Sequence, residues 1–284
     1  MMELAQAEYE PASHYDRVTD AWRLLLGEDL HYGVFETGNE SLPEATAGLT
    51  ARMVEIAQLQ GGLDVLDVLD VGCGTGAPAC YLASAFAVSV VGITTSTVGV
   101  SRARARAASQ GVAALAAFEL RDGTANGFAD QSFDRAWVLE SSHLMRERQA
   151  LVEECARVLR PNGRLVLCDI VRKREIPFLE LRERRGEFAT LREAFGDARM
   201  EPLDFYADLM TGAGLKVDYL EDLTRLTLPT FDRWRANAHE HRHEVVTALG
   251  LEGWECFLRS TDILEGFWHD TTLGYGIISA IKEG

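Results

Sequence analysis

The residues of this 284-residue chain that could do chemistry begin with an acid and alternate glycines closing an apolar run, Leu66-Asp67-Val68-Leu69-Asp70-Val71-Gly72-Cys73-Gly74-Thr75-Gly76. The β-branched run reads as a buried parallel strand, and glycine at every second position after it lets bare backbone approach a ligand without a Cβ in the way. A helix is expected from Pro78 to Ala85, with its N-terminal amides aimed at a polar or anionic group. The plain alternative is a tight turn that only lets this helix pack on the strand. Strand, glycine turn and helix in this order follow the logic of the dinucleotide folds.

The loop alone does not choose its ligand. Gly72-Cys73-Gly74-Thr75-Gly76-Ala77 formally satisfies the nucleotide fingerprint, so a nicotinamide cofactor is one candidate. Such a cofactor calls for Asp or Glu, or an Arg facing a phosphate, at the end of the second strand, and here that strand ends Ile93-Thr94-Thr95-Ser96. Acids stand elsewhere, at Asp70 before the glycines and in Leu120-Arg121-Asp122-Gly123 at the end of a third strand.

The elements that must position these groups alternate along the chain. Strands are expected at Val65–Val71, Val88–Ile93, Ala117–Leu120, Phe133–Leu139 and Arg164–Cys168, and helices at Val98–Ser109 and Arg148–Leu159, the latter stopped by Pro161 and Gly163. Gly214–Leu220 and Tyr275–Ile281 are strand-like and predict an antiparallel pair. The fold class is therefore α/β: a Rossmann-like, doubly wound, mostly parallel seven-stranded sheet with an antiparallel last strand and a helical lid. Residues 61–171 form the ligand-binding core. Residues 1–60 and 172–213, or 172–235 at the widest, are aromatic-dotted and predict a lid over the strand ends, while 214–284 complete the sheet and add the last helices. An ordinary helical satellite with its own small core is compatible with that reading.

Composition narrows the function classes. A net charge of −16 argues against nucleic acid and anionic membranes, and no apolar run is long enough to span a bilayer. The opening residues lack a basic n-region followed by an apolar core, so no signal peptide is expected. Five scattered cysteines without a Cys-x-x-Cys pair fit reduced thiols, and the expected compartment is the cytoplasm. His239 and His243 would lie one helical turn apart, a spacing that can bind zinc, but their charged setting lacks a third ligand and reads as a solvated face. No metal is expected.

Taken in order, Val68-Leu69-Asp70-Val71-Gly72-Cys73-Gly74-Thr75-Gly76, Val91-Gly92-Ile93-Thr94-Thr95-Ser96, Asp122-Gly123, Gln131-Ser132-Phe133-Asp134, Glu140-Ser141-Ser142-His143-Leu144-Met145 and Ala156-Arg157-Val158-Leu159-Arg160-Pro161-Asn162-Gly163-Arg164-Leu165 resemble the class I S-adenosylmethionine-dependent methyltransferases, particularly the natural-product enzymes acting on glycosides, polyketides and amines. Upstream, Leu30-His31-Tyr32-Gly33 is similar to that family's lid motif. The resemblance runs from about Leu30 to Gly163 and implies S-adenosylmethionine as cofactor. By the same resemblance, Asp70 and the backbone of Gly72, Cys73, Gly74 and Gly76 hold the methionine end, Asp122 accepts from the adenine amino group, and Gly123 leaves room for the ring. Thr94, Thr95, Glu140, Ser141, His31 and Tyr32 complete the cofactor set, with Thr94 departing from the acid usual at the ribose.

Methyl transfer from a sulfonium needs alignment and removal of an acceptor proton. His143, after the fourth strand, is the expected general base, and Asp169, at the end of the fifth, is expected to orient it. Packed or capping roles are the plain alternatives for both. Leu144 replaces the family's second histidine. Tyr15, Trp22, Phe178 and Thr190 are the expected acceptor-facing residues. The implied partner is a small apolar or polyketide-like molecule, on a monomer or homodimer. A protein of this fold that has given up methyl transfer for cyclisation or another tailoring reaction is the second reading, and a nicotinamide oxidoreductase the third.

Overall fold

A computed structural model describes residues 19, 21–59 and 66–284. The expected first-strand residue Val65 and the acceptor-facing Tyr15 lie outside the described residues. Seven strands form one sheet: β1 (Asp67–Val71), β2 (Ser89–Thr94), β3 (Ala116–Leu120), β4 (Phe133–Leu139), β5 (Leu159–Arg172), β6 (Leu215–Asp222) and β7 (Leu273–Lys282). Their order is β3-β2-β1-β4-β5-β7-β6. All pairs from β3 to β5 are parallel, and β7 runs antiparallel to both β5 and β6. The expected strands are all present, β5 being longer at both ends than its apolar stretch indicates.

Alternation along each strand divides the core between the sheet's two sides. Val68, Val90, Val166 and Ile277 pack on one side with α2 (Leu42–Ile56), α3 (Ala77–Phe86) and α4 (Thr97–Ser109). Leu69, Val71, Leu165 and Ile278 pack on the other with α5 (Arg148–Val158) and α8 (Leu203–Gly212). The α4 helix starts cleanly because Ser96 Oγ accepts the Gly99 N–H at 2.8 Å, which satisfies one of its orphan donors.

Above the carboxyl ends of β1, β4 and β5 sits a cap made of α1 (residues 21–26), α6 (Phe178–Glu183), α7 (Arg185–Phe195), α10 (Thr230–Glu240) and α11 (Arg242–His269), α9 (Thr224–Thr227) being a short link. Aromatic contacts bind its pieces: Trp22 to Phe195 at 6.1 Å, Phe188 to Phe267 at 5.2 Å and Phe195 to Trp234 at 6.5 Å between ring centroids. The expected boundary shifts in two places. Within 172–213, α8 belongs to the sheet, because Leu203, Tyr206 and Met210 form one buried face at helical spacing against β6 and β7. Within 214–284, α10 and α11 belong to the cap, since they intervene between the last two strands and pack against each other and α7. His239 and His243 also part company: α10 ends at Glu240 and α11 starts at Arg242, so no single helix presents both.

The central strand is the part least able to tolerate a cavity. Leu69→Ala, fully buried in β1, should destabilise the fold by about 2–5 kcal/mol, read as a lower denaturant midpoint with an unchanged slope.

Candidate functional site

The sheet order turns back between β1 and β4, and in open α/β sheets that switch point is where ligands bind. The penultimate residue of β1 there is Asp70, which is 2% exposed and whose Oδ2 has no hydrogen-bond partner among the described residues. Burial pushes its carboxyl pKa up to about 7. A buried acid with an orphaned oxygen is costly to leave so, and a ligand cation at that oxygen would relieve it.

The glycines divide the work of the turn. Gly72 has φ +80, and a Cβ there would stand 2.2 Å from Ser141 Cβ, so glycine lets β1 pass the end of β4. Its N–H and that of Cys73 both donate to Ile93 O, which ties the turn to β2. Gly76, left-handed at the start of α3, packs against Phe118 and Ala103 and is not a wall of the cavity. Gly74 differs: its φ is +53 and a Cβ would meet no protein atom within 4 Å. The amides of Gly74 and Thr75 have no protein partner among the described residues, and both residues line the cavity. An orphaned acid oxygen, open amides and a helix N-terminus suit a ligand carrying an ammonium and a carboxylate side by side.

Around this cradle, Cys73, Thr94, Thr95, Asp122, Gly123, Glu140, Ser141, His31 and Tyr32 line the same cavity of about 880 Å³. Asp122 Oδ1 accepts from the Thr124 N–H and hydroxyl, both at 2.8 Å, and holds its loop in a turn. A Cβ on Gly123 would stand 2.5 Å from Val71 Cγ1. Ser141 Oγ donates to Val71 O at 2.8 Å. His31 faces the protein with both ring nitrogens, Nδ1 toward Tyr32 O at 2.8 Å and Nε2 toward Thr50 Oγ1 at 3.5 Å. Tyr32 stacks on Trp268 with ring centroids 5.3 Å apart, and its buried hydroxyl has no partner among the described residues.

Glu140 holds left-handed backbone, φ 47, where a non-glycine residue is strained by about 1–2 kcal/mol. Its Oε1 accepts the Tyr32 N–H at 2.7 Å and the Tyr275 hydroxyl at 2.5 Å. Burial raises its carboxyl to about 8 despite those two donors.

Directly after it, the 3₁₀ turn Ser142–Leu144 carries His143 against Asp169 of β5. Asp169 is fully buried, and its Oδ1 lies 2.5 Å from His143 Nδ1. Burial alone would discharge the imidazole, but the Asp169 carboxylate, its hydrogen bond and Glu140 outweigh this and hold the His143 pKa above the ordinary value. Burial likewise opposes ionisation of Asp169, and the facing imidazole with the Ser142 and backbone donors keeps it below the ordinary carboxylate range. Because Nδ1 is taken by Asp169, the cavity-lining His143 has Nε2 as its basic atom.

The acceptor-facing set is only partly assembled. Trp22 lines the cavity, joined by Phe188, Leu191, Phe195 and Trp234 from the cap and by Met200 from the segment between α7 and α8. Phe178 is instead 76% exposed on the outside of α6. Thr190 turns its hydroxyl back to Gly186 O at 3.1 Å within α7, and neither residue reaches the cavity. Sequence reasoning missed Ser142 and Tyr275, which hold Asp169 and Glu140. The signal available for Ser142 was its place in the same motif as His143.

The methyltransferase-domain family matches residues 69–167. The 27-O-demethylrifamycin SV methyltransferase of Amycolatopsis mediterranei is 34% identical over 269 residues, covering 94% of this chain and 95% of that protein. Methyltransferase GfsG of Streptomyces halstedii is 37% identical over 224 residues, 78% of each chain. Among solved structures, the crystal structure of the 4+2 cyclase SpnF superposes with a TM-score of 0.81 at 28% identity, covering 96% of this chain and 95% of that one. With such relatives over nearly its whole length, and with an acid and open glycine amides at the strand ends where they can take the methionine end of the cofactor, this chain belongs to the class I S-adenosylmethionine-dependent methyltransferases.

Proposed function

We propose that this protein moves a methyl group from S-adenosylmethionine to a hydroxyl of a large, mainly apolar natural-product intermediate, with His143 as general base and Asp169 as its orienting partner. The observation that carries the reading is that His143, held through Nδ1 by the buried Asp169, lines the same cavity as Asp70 and the open amides of Gly74 and Thr75. The bound sulfonium supplies an activated methyl group. Everything else falls to the chain.

Asp70 binds the ammonium of the methionine end, and the Gly74 and Thr75 amides with the start of α3 bind its carboxylate. Asp122, Thr94 and Thr95, which line the same cavity, would hold the adenosine end. His143 takes the acceptor proton at Nε2 while Nδ1–H stays on Asp169, which stabilises the imidazolium that forms. The cap aromatics Trp22, Phe195 and Trp234 exclude water and offer an apolar wall. A hydroxyl acceptor is preferred because a hydroxyl must lose a proton on methylation, which gives the histidine its task. The O-methyltransferase among the relatives supports the same choice.

A second reading is favoured by the likeness to the cyclase SpnF. Here the cofactor stays as structure while the cap folds a substrate for ring closure. Methyl-labelled S-adenosylmethionine offered with a panel of polyketide alcohols separates the two. Label in the acceptor supports methyl transfer, and conversion without label supports cyclisation. His143→Ala should lower kcat about 10²–10⁴-fold while the Kd for S-adenosylmethionine stays within about threefold. Unchanged kcat would remove His143 from the mechanism.

Two cofactor measurements follow. Gly74→Ala meets no protein atom, so it should fold with only the small left-handed penalty yet weaken S-adenosylmethionine at least about tenfold, read by calorimetry. Asp70 is neutral below a pKa of about 7 in the free protein, so ammonium binding favours higher pH. Affinity should fall about tenfold from pH 8 to pH 6, and Asp70→Asn should be weak at both, flattening the dependence.

A further inference from the structure

We propose that Ser142 and Tyr206 are positioning residues: Tyr206 donates to Ser142, Ser142 donates to Asp169, and this buried chain of hydrogen bonds fixes the carboxylate that aims the His143 imidazole. The proposal rests on the reading of His143 as the base.

Ser142 Oγ lies 2.5 Å from Asp169 Oδ2 and 2.8 Å from the Tyr206 hydroxyl oxygen, and both Ser142 and Tyr206 are fully buried. An ionised carboxylate only accepts, so the single Ser142 proton goes to Asp169, and its remaining lone pairs require Tyr206 to be the donor. The same Asp169 accepts the His143 N–H on Oδ2 at 3.1 Å, and the Ile170 N–H at 2.8 Å and His143 Nδ1–H at 2.5 Å on Oδ1. Two of these four donors belong to the backbone and one to the histidine itself. Ser142 supplies the only remaining one, and its rotor is free to turn away unless something holds it. Tyr206 does so.

Tyr206 comes from α8, an outer-layer helix, where it stands between Leu203 and Met210 on the face packed against the sheet. Phenylalanine would fill that space without a hydroxyl to satisfy, so packing alone does not call for tyrosine. Other groups bear on the cluster too. The Arg148 guanidinium, from α5, reaches His143 O at 3.3 Å and lies beside Tyr206, and Glu140, bonded to the Tyr275 hydroxyl, is close enough to act on His143. None of these donates to Asp169 among the described residues.

Removing the Ser142 hydroxyl takes a donor from Asp169. The carboxylate then holds the Nδ1–H more tightly, and His143 titrates at higher pH. Removing the Tyr206 hydroxyl frees the Ser142 rotor and moves His143 the same way by less.

The test is a pH titration of the full chain labelled with ¹⁵N-histidine, the His143 signal being assigned by its loss in His143→Ala. In the wild type the neutral ring should carry its proton on Nδ1. Ser142→Ala should raise the His143 midpoint by at least about 0.5 pH unit, and Tyr206→Phe should raise it by a smaller step, with calorimetric affinity for S-adenosylmethionine within about twofold of wild type in both. A midpoint and tautomer identical to wild type in both variants would overturn the proposal, as would a Tyr206→Phe shift in the absence of any Ser142→Ala shift. Full methyl transfer by His143→Ala overturns the base reading instead, and is seen in a separate activity assay that the titration does not depend on.

Discussion

The parallel register of β4 on β5 is the constraint from which the site follows. Ala136 faces Leu165, Val138 faces Leu167 and Leu139 faces Cys168, so the two strands leave the sheet level with each other. The next residues of β4's exit, Glu140 to His143, therefore arrive beside Asp169. A slip of one residue would turn Asp169 to the opposite side of the sheet and leave both the histidine and a buried carboxylate without partners. Glu140 N–H donating to Cys168 O at 2.8 Å closes that register at the rim.

Much of the core was readable because its rules are local. A parallel strand buried on both faces is apolar throughout, a close turn needs glycine, and an acid at the strand end has few structural uses. Hence β1, its glycines, Asp70 and the His143–Asp169 pair could be placed before any contact was seen. The cap was less readable, since the periodicity of an amphipathic helix gives its apolar face but not which neighbour that face meets. Phe178 looked like a pocket residue by type alone, yet α6 turns it outward. Thr190 looked like a polar wall, yet a threonine inside a helix can satisfy its hydroxyl on the preceding turn.

The α8 helix shows where pattern should have outweighed composition. Residues 172–213 are charged and dotted with aromatics, which suggested one continuous insertion. Leu203, Tyr206 and Met210 nevertheless recur at the interval of a single helical face, and that face had to find a sheet. Conversely, the cap acquired α10 and α11 from beyond β6 as an insertion between β6 and β7, antiparallel neighbours that a short hairpin could have joined and whose connecting ends, Asp222 and Gly276, lie side by side.

The doubly bonded Glu140 oxygen fastens together parts of the chain made at very different times. One bond reaches back 108 positions to Tyr32 and the other forward 135 positions to Tyr275. Contacts of such separation form late in folding, after the loops between them have been closed. The emerging chain can thus complete its glycine turn early, but the roof over it waits for the final strand, so a ribosome-bound fragment would present an open cleft and no enclosed chamber.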